Sequence, residues 1–312
     1  MKKVSKEKIL NFIKKRESED FSNIKLFEKI LIKKRGFVFK MPNKGSNVIL
    51  MASGGLDSMV VWGILMKEFG LNVYPITFNR GDKRRKQELN ALKFFDKFYK
   101  KKFPKNYRKF LNFNLNQEEL SIKIEKGASQ LDEENILELL FKKSTYPAHL
   151  GTFTILPLLS RSYAMNLNLI KNLKINTIFS AVTVEDGEYT AHQTLTCFRS
   201  IMLDMCVAIN DYSWQFVSAC LEPESGFFLK RSDLIAWAHK NKIPIEKTWT
   251  CYHSYKYQCG DECLACISRK KGFVEAGVLD KTQYRKKKKS TIKNTMVLFL
   301  KSFIKKLVGY RR

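Results

Sequence analysis

The chain is short of negative charge: 57 Lys and Arg stand against 30 Asp and Glu in 312 residues, a formal net charge of +27. The deficit sits at the ends. Residues 1–46 carry 14 basic against 5 acidic side chains, and residues 285–312 carry 11 against none. Such ends suit nucleic acid, an acidic partner or anionic lipid, and charge alone does not choose among these or a plain solvated surface. Long apolar runs are also missing. No apolar signal segment precedes the chain, which points to the cytoplasm, and no segment reads as a transmembrane span. The lysine-bearing P-loop and the dinucleotide fingerprint are both absent, so two common routes to phosphate binding are closed. Cysteine is sparse outside one cluster, which disfavours a disulfide framework.

What is present begins with Asn47 to Ser58, N-V-I-L-M-A-S-G-G-L-D-S. Val48 to Ala52 form an apolar run suited to a buried parallel strand, and it ends abruptly in Ser53-Gly54-Gly55. Adjacent glycines let the backbone turn tightly with its N–H groups inward. A helix opening near Asp57 or Ser58 adds unpaired N–H groups and a positive end. The stretch reads as a phosphate cradle.

Around it the hydrophobic content of 44% and 23 Phe argue for a folded globular chain. Ser5–Lys15 and Phe21–Lys34 space apolar residues as two short helices packed on the main body, the second ended by Gly36. A helix from Ser58 to Phe69 and a strand from Leu71 to Phe78 complete a strand, helix, strand unit, hence a parallel sheet with a right-handed crossover. A charged helix from Asp82 to Tyr99 and a strand from Phe110 to Leu115 follow, then a polar excursion from Glu118 to Leu140. A long apolar helix after Gly151 contains Pro157, a point for a kink or restart. Strands at Ile175–Val182 and Trp214–Ala219 flank a helix at Cys197–Asn210, and Lys230–Lys240 reads as another helix. Functional residues of such sheets gather at the carboxyl ends of the strands. Asp186, in the acidic loop Thr183 to Tyr189, is therefore a candidate for placing magnesium or the acceptor group, and Lys230 for reaching the anionic site.

Four cysteines, Cys251, Cys259, Cys263 and Cys266, fall within sixteen residues, the last pair spaced C-x-x-C. Soft thiolates at this spacing suit a closed tetrahedral Zn2+ site of structural type, with an iron–sulfur cluster as the metal alternative and His253 outside the shell. Such a site would fasten a C-terminal cap over the mouth of the sheet. Cys206 and Cys220 lie in apolar surroundings and read as small core residues. Beyond four consecutive lysines, Met296 to Leu307 forms a short amphipathic helix, suited to an anionic membrane, a partner or the chain's own surface.

S-G-G-L-D-S resembles the pyrophosphate loop of ATPases that split ATP into AMP and pyrophosphate. With T-C-Y at Thr250 to Tyr252 and the three further cysteines, the chain is similar to one branch of them, the QueC family of 7-cyano-7-deazaguanine synthases. The resemblance runs from about Val48 to Gly277 and takes in Gly81, Gly151, Asp186, Tyr189, Lys230 and Arg269. It implies a parallel-sheet, Rossmann-like α/β domain of the adenine nucleotide alpha hydrolase type with a zinc-bound C-terminal cap. The corresponding division is 1–46 basic helical extension, 47–245 ATPase domain, 246–284 zinc cap and 285–312 basic tail.

The resemblance also implies an AMP-forming carbon–nitrogen ligase using ATP and Mg2+. Gly54 and Gly55 N–H groups with the Ser53 and Ser58 hydroxyls would hold the phosphates. Asp57 would orient the loop or bind magnesium, and Thr77, Phe78 and Gly151 would lie at the nucleotide. The carboxylate of 7-carboxy-7-deazaguanine would be adenylated and taken by ammonia to an amide, with a second round giving the nitrile. A homodimer is implied as well.

Three departures stand out. Thr152-Phe153 replace the family's Arg-Asn, Thr190-Ala191-His192-Gln193 replace Pro-Asp-Cys-Arg, and Cys259 to Cys263 is one residue longer than C-G-x-C. The first two remove polar groups near the substrate, which should cost selectivity. They keep two alternatives open: a ligase of the anti-phage type that joins the deazaguanine carboxylate to a protein amine, and a tRNA-modifying ATPase of the same superfamily.

Overall fold

The structure, a computed structural model, describes residues 3–79, 84–114, 152–188, 190–253 and 255–286. Gly81, the polar excursion, Gly151, Tyr189 and the amphipathic tail lie outside the described residues, as do the side chains of Thr152 and Phe153.

Helix α1 (Lys6–Lys14) starts at Ser5, whose hydroxyl accepts from the Lys8 N–H, and α2 (Phe21–Arg35) starts at Asp20, whose carboxylate accepts from Asn23. Gly36 closes α2 in the left-handed conformation. Strand β1 (Asn47–Met51), helix α3 (Leu56–Lys67) and strand β2 (Asn72–Asn79) follow. Next come α4 (Arg85–Lys102), β3 (Leu111–Asn114), α5 (Thr152–Lys171), β4 (Thr177–Ser180), α6 (Leu195–Val207) and β5 (Gln215–Ser218). The order across the sheet is β3-β2-β1-β4-β5, and every pair is parallel. The strand order reverses between β1 and β4, so a crevice opens there at the carboxyl ends.

The strands are apolar because helices cover both faces. Val48, Ile49 and Leu50 of β1 and all of β4 are buried. Helix α3 is buried almost all round, from Ser58 to Met66, because it is packed between the sheet and further helices. One of those is α7 (Arg231–Lys240), which follows a two-stranded antiparallel pair, β6 (Leu221–Glu222) and β7 (Phe227–Phe228), a feature without a periodic signal. Helix α5 passes through Pro157 without a restart. The last described helix is α8 (Leu264–Ala276).

The N-terminal helices are packed into the body. Ile9, Ile13 and Ile24 share a small core with Val184, Leu195 and Leu221. Glu28 of α2 also joins a buried knot, in which Arg199 of α6 donates to Glu28 at 2.8 Å and to both oxygens of Glu222 at 2.7 and 2.8 Å.

Candidate active site

The loop after β1 is held in shape by its own side chains. Ser53 N–H donates to Ser58 Oγ at 3.1 Å, the two hydroxyls lie 3.0 Å apart, and Gly55 N–H donates to Ser53 Oγ at 3.1 Å. Gly54 has φ +83, and a Cβ there would lie 2.5 Å from the backbone carbonyl oxygen of Glu88 on α4. Glycine is thus required twice over, for its left-handed backbone and for the close approach of α4. Helix α3 opens at Leu56, one to two residues before the expected start at Asp57 or Ser58, and the loop precedes its N-terminal N–H groups. A backbone loop and a helix end converging in this way suit an anion.

Opposite the loop stands Arg231, the first residue of α7 and a residue that sequence reasoning missed. Its Nε donates to both Asp57 oxygens at 3.1 and 3.2 Å, and its Nη2 to Asp57 at 2.9 Å and to Asp186 at 3.1 Å. Its Nη1 donates to Ser268 Oγ, and its backbone N–H donates to Glu185 at 2.8 Å. Asp186 is itself fixed, since its other oxygen accepts from the Thr183 N–H at 2.7 Å and hydroxyl at 2.9 Å. One guanidinium therefore ties the S-G-G-L-D-S stretch to the loop after β4. Burial raises the Asp57 carboxyl above the ordinary carboxylate range, with Arg231 pulling it back. Burial also opposes the Arg231 cation, but Asp57 and then Asp186 outweigh it and hold it charged. Arg231 is thus the main influence that favours the charged form of Asp57.

Lys230, the neighbouring candidate, is exposed at the N-cap of α7, where its backbone N–H donates to Asp233 at 2.8 Å. A side chain at the first helical position points back toward the strand ends, and that direction was the available signal for Arg231. Thr77 and Phe78 run on past the last β1 pair, Met51 with Ile76. The Thr77 hydroxyl accepts from Arg85 at 3.0 Å, while Phe78 is buried and its ring stacks on Phe113.

The four clustered cysteines are all buried, and their Sγ atoms lie within 4.8 Å of one another. Cys263 caps α8 and Cys266 lies in its first turn. Cys251 Sγ accepts N–H groups from His253 and Cys259, both at 3.4 Å. The set can hold a metal ion. The cysteine-bearing segment is joined to the glycine turn, where Trp249 N–H donates to Gly54 O at 3.0 Å, and to α4, where Gln87 donates to Tyr255 O at 3.2 Å. Arg269, fully buried, donates to Thr248, Thr250, Thr282 and the Ile245 carbonyl, and so binds α8 to the segment before the cysteines. Cys206 and Cys220 stand in the main core, with burial pushing the Cys206 thiol up to about 11 and that of Cys220 well above its usual value.

A Rossmann-like parallel sheet carrying S-G-G-L-D-S at its switch point defines the class, an α/β domain of the PP-loop type. Comparison with known proteins then narrows it. Residues 226–277 match the family described as queuosine biosynthesis protein QueC. The chain is 28% identical over 255 residues to a 7-cyano-7-deazaguanine synthase of Picrophilus torridus, covering 77% of this chain and 92% of the relative. A second such synthase, from Acetivibrio thermocellus, is 27% identical over 252 residues, 76% of this chain and 96% of its own length. The chain is thus similar to the QueC family at a divergent distance. Among solved structures, the U34-tRNA thiolase NcsA from Methanococcus maripaludis with its 4Fe-4S cluster aligns over 80% of this chain and 70% of its own, at 13% identity and a TM-score of 0.35. No helix among the described residues is long and apolar enough to cross a membrane.

Proposed function

We propose that this chain is an AMP-forming ATP-dependent ligase, which adenylates the carboxylate of 7-carboxy-7-deazaguanine or a related acid and passes it to ammonia. The observation that carries the reading is the Asp57–Arg231–Asp186 bridge, which joins an anion-binding loop to the far wall of the crevice at the topological switch point. The relatives' name, 7-cyano-7-deazaguanine synthase, supplies the substrate class.

The β- and γ-phosphates would lie on the Gly54 and Gly55 N–H groups, the Ser53 and Ser58 hydroxyls and the first turn of α3. Mg2+ would enter with ATP. Asp57 orients the loop, since its carboxylate is committed to Arg231, and the guanidinium offsets charge developing on the leaving pyrophosphate. The acid's carboxylate attacks the α-phosphorus, pyrophosphate departs, and ammonia displaces AMP from the acyl-adenylate to give the amide. A second ATP-dependent round would dehydrate the amide to the nitrile. Thr77 and Phe78 at the end of β2 would flank the adenine.

Cys251, Cys259, Cys263 and Cys266 would hold one Zn2+. Ligands 2.3 Å from a tetrahedral ion stand about 3.8 Å apart, in keeping with sulfurs that all lie within 4.8 Å of one another. When bound, the ion supplies a cross-link, and the cap it closes reaches the phosphate loop through Trp249.

The test is mass spectrometry of a reaction holding the metal-loaded protein, MgATP, 7-carboxy-7-deazaguanine and ammonium, with Ser53→Ala and Asp57→Ala as controls. AMP with amide or nitrile, lost in both controls, is the expected result. AMP without either small product would move the acceptor to another amine, and a deazaguanine-sized mass increase would then be sought on co-purifying protein. No AMP with this acid would overturn the substrate.

A further inference from the structure

The turn between α1 and α2 is not bonded to its own helices alone but to the loop that carries Asp186. The Arg16 guanidinium donates to the Val184 carbonyl and stands 3.7 Å from the Glu188 carboxylate. Ser18 Oγ donates to the Gly187 carbonyl at 2.6 Å. Glu19 reaches the other end of the segment, where its carboxylate accepts the Leu195 N–H at 2.8 Å, the Thr196 N–H at 2.9 Å and the Thr196 hydroxyl at 2.7 Å. Thr194, the local cap, takes the Cys197 N–H at 3.1 Å. The first three N–H groups of α6 are thus satisfied, two of them by a residue 176 and 177 positions away. The fit is close: a Cβ at Gly187 would lie 2.9 Å from both Arg16 Nη1 and the Gln193 carbonyl oxygen.

The segment held at both ends is the wall of the crevice opposite the phosphate loop. Its Asp186 touches Arg231, whereas the phosphate loop is shaped by its own serines and by α4. Arg231 makes three hydrogen bonds to Asp57 and one to Asp186, so loosening the turn should disturb the Asp186 half far more than the loop after β1. We propose that the α1–α2 turn, Arg16 to Glu19, is a positioning clamp for the Asp186 loop, and that it governs affinity for the acid to be activated rather than for ATP. The second half of this inference rests on the function proposed above; the first half does not.

The experiment uses the full chain with Ser18→Ala, Glu19→Gln and the hydroxyl-retaining Ser18→Thr. Hydrogen exchange is read at Val184 to Thr196 and at α3, together with Tm, and KM is read separately for ATP and for the acid. Removing one such hydrogen bond should speed exchange across the loop by about tenfold in Ser18→Ala and Glu19→Gln, leave α3 protected, and be reversed in Ser18→Thr. KM for the acid should rise by about the same factor while KM for ATP stays within about twofold. Loop exchange identical to wild type would overturn the clamp. Parallel rises in both KM values would overturn its selectivity for the acid half. If the wild type shows no ATP-dependent chemistry, the function proposed above fails, and the exchange arm still decides whether the clamp exists.

Discussion

Arg199 and Arg231 each bridge two acidic residues, in very different surroundings. Arg199 is fully buried, meets Glu28 and Glu222, and ties α2 and α6 to the β6 strand. Arg231 meets Asp57 and Asp186 in the same manner, but it does so at the carboxyl ends of β1 and β4, beside the Ser53-Gly54-Gly55 turn. The first knot is far more deeply buried, since no part of the Arg199 or Glu222 side chain is exposed, while about a fifth of the Asp57 and Asp186 side chains is. The same chemical unit is a structural pin in one place and a candidate charge-handling group in the other. Burial and position make the difference, not the residue types.

The comparison can be broken first at the structural knot. Arg199→Met strands two buried carboxylates and should cost about 3–5 kcal/mol, seen as a fall in Tm of about 5–8 °C. An unchanged Tm would show that the knot carries little stability. Arg231→Met should do the reverse, lowering AMP formation by about 10²- to 10³-fold while Tm moves much less. The reason is that Asp57, whose carboxyl burial already raises, can shed its charge by taking a proton. A Tm loss as large as that of Arg199→Met would make Arg231 a second structural pin.

Gly54→Ala sharpens the contrast within the candidate site. It forces a Cβ to within 2.5 Å of the Glu88 carbonyl oxygen at φ +83, so about 2 kcal/mol of stability and most ATP binding should go together. Isothermal titration with ATP beside a denaturant melt would read both.

The smallest effect is expected away from both knots, at Cys206. Its folded thiol is pushed up from 9.0 to about 11 by burial, so its contribution is complete below pH 9 and is lost as pH rises toward 11. Between pH 8 and 10 the wild type should lose about 1 kcal/mol more than Cys206→Ala, measured by denaturant melts at the two pH values. Equal losses would mean that Cys206 does not report burial in this way.

Much of the site was legible because its parts are local. S-G-G-L-D-S needs only its own backbone, glycines and hydroxyls to make a cradle, and the cysteines converge because a short turn and the first turn of α8 bring them together. Arg231 was not legible because Lys230 and Arg231 are chemically alike and adjacent. Only the start of α7 decides which one turns inward, and Lys230 was given to solvent at the cap. The role of Glu19 was hidden for a different reason: its partners, Leu195 and Thr196, are brought to it by the packing of α2 on α6.

By itself the sequence determined the parallel α/β architecture, the glycine turn after β1 and the four-cysteine cluster, since periodicity, glycine geometry and short-range spacing act within a few residues. The tertiary structure alone decided which cation faces Asp57, which acids it joins, and that the N-terminal helices grip the far wall of the crevice. Those contacts join residues 45 to 177 positions apart, and such pairs meet only where the packing of the helices on the sheet brings them together.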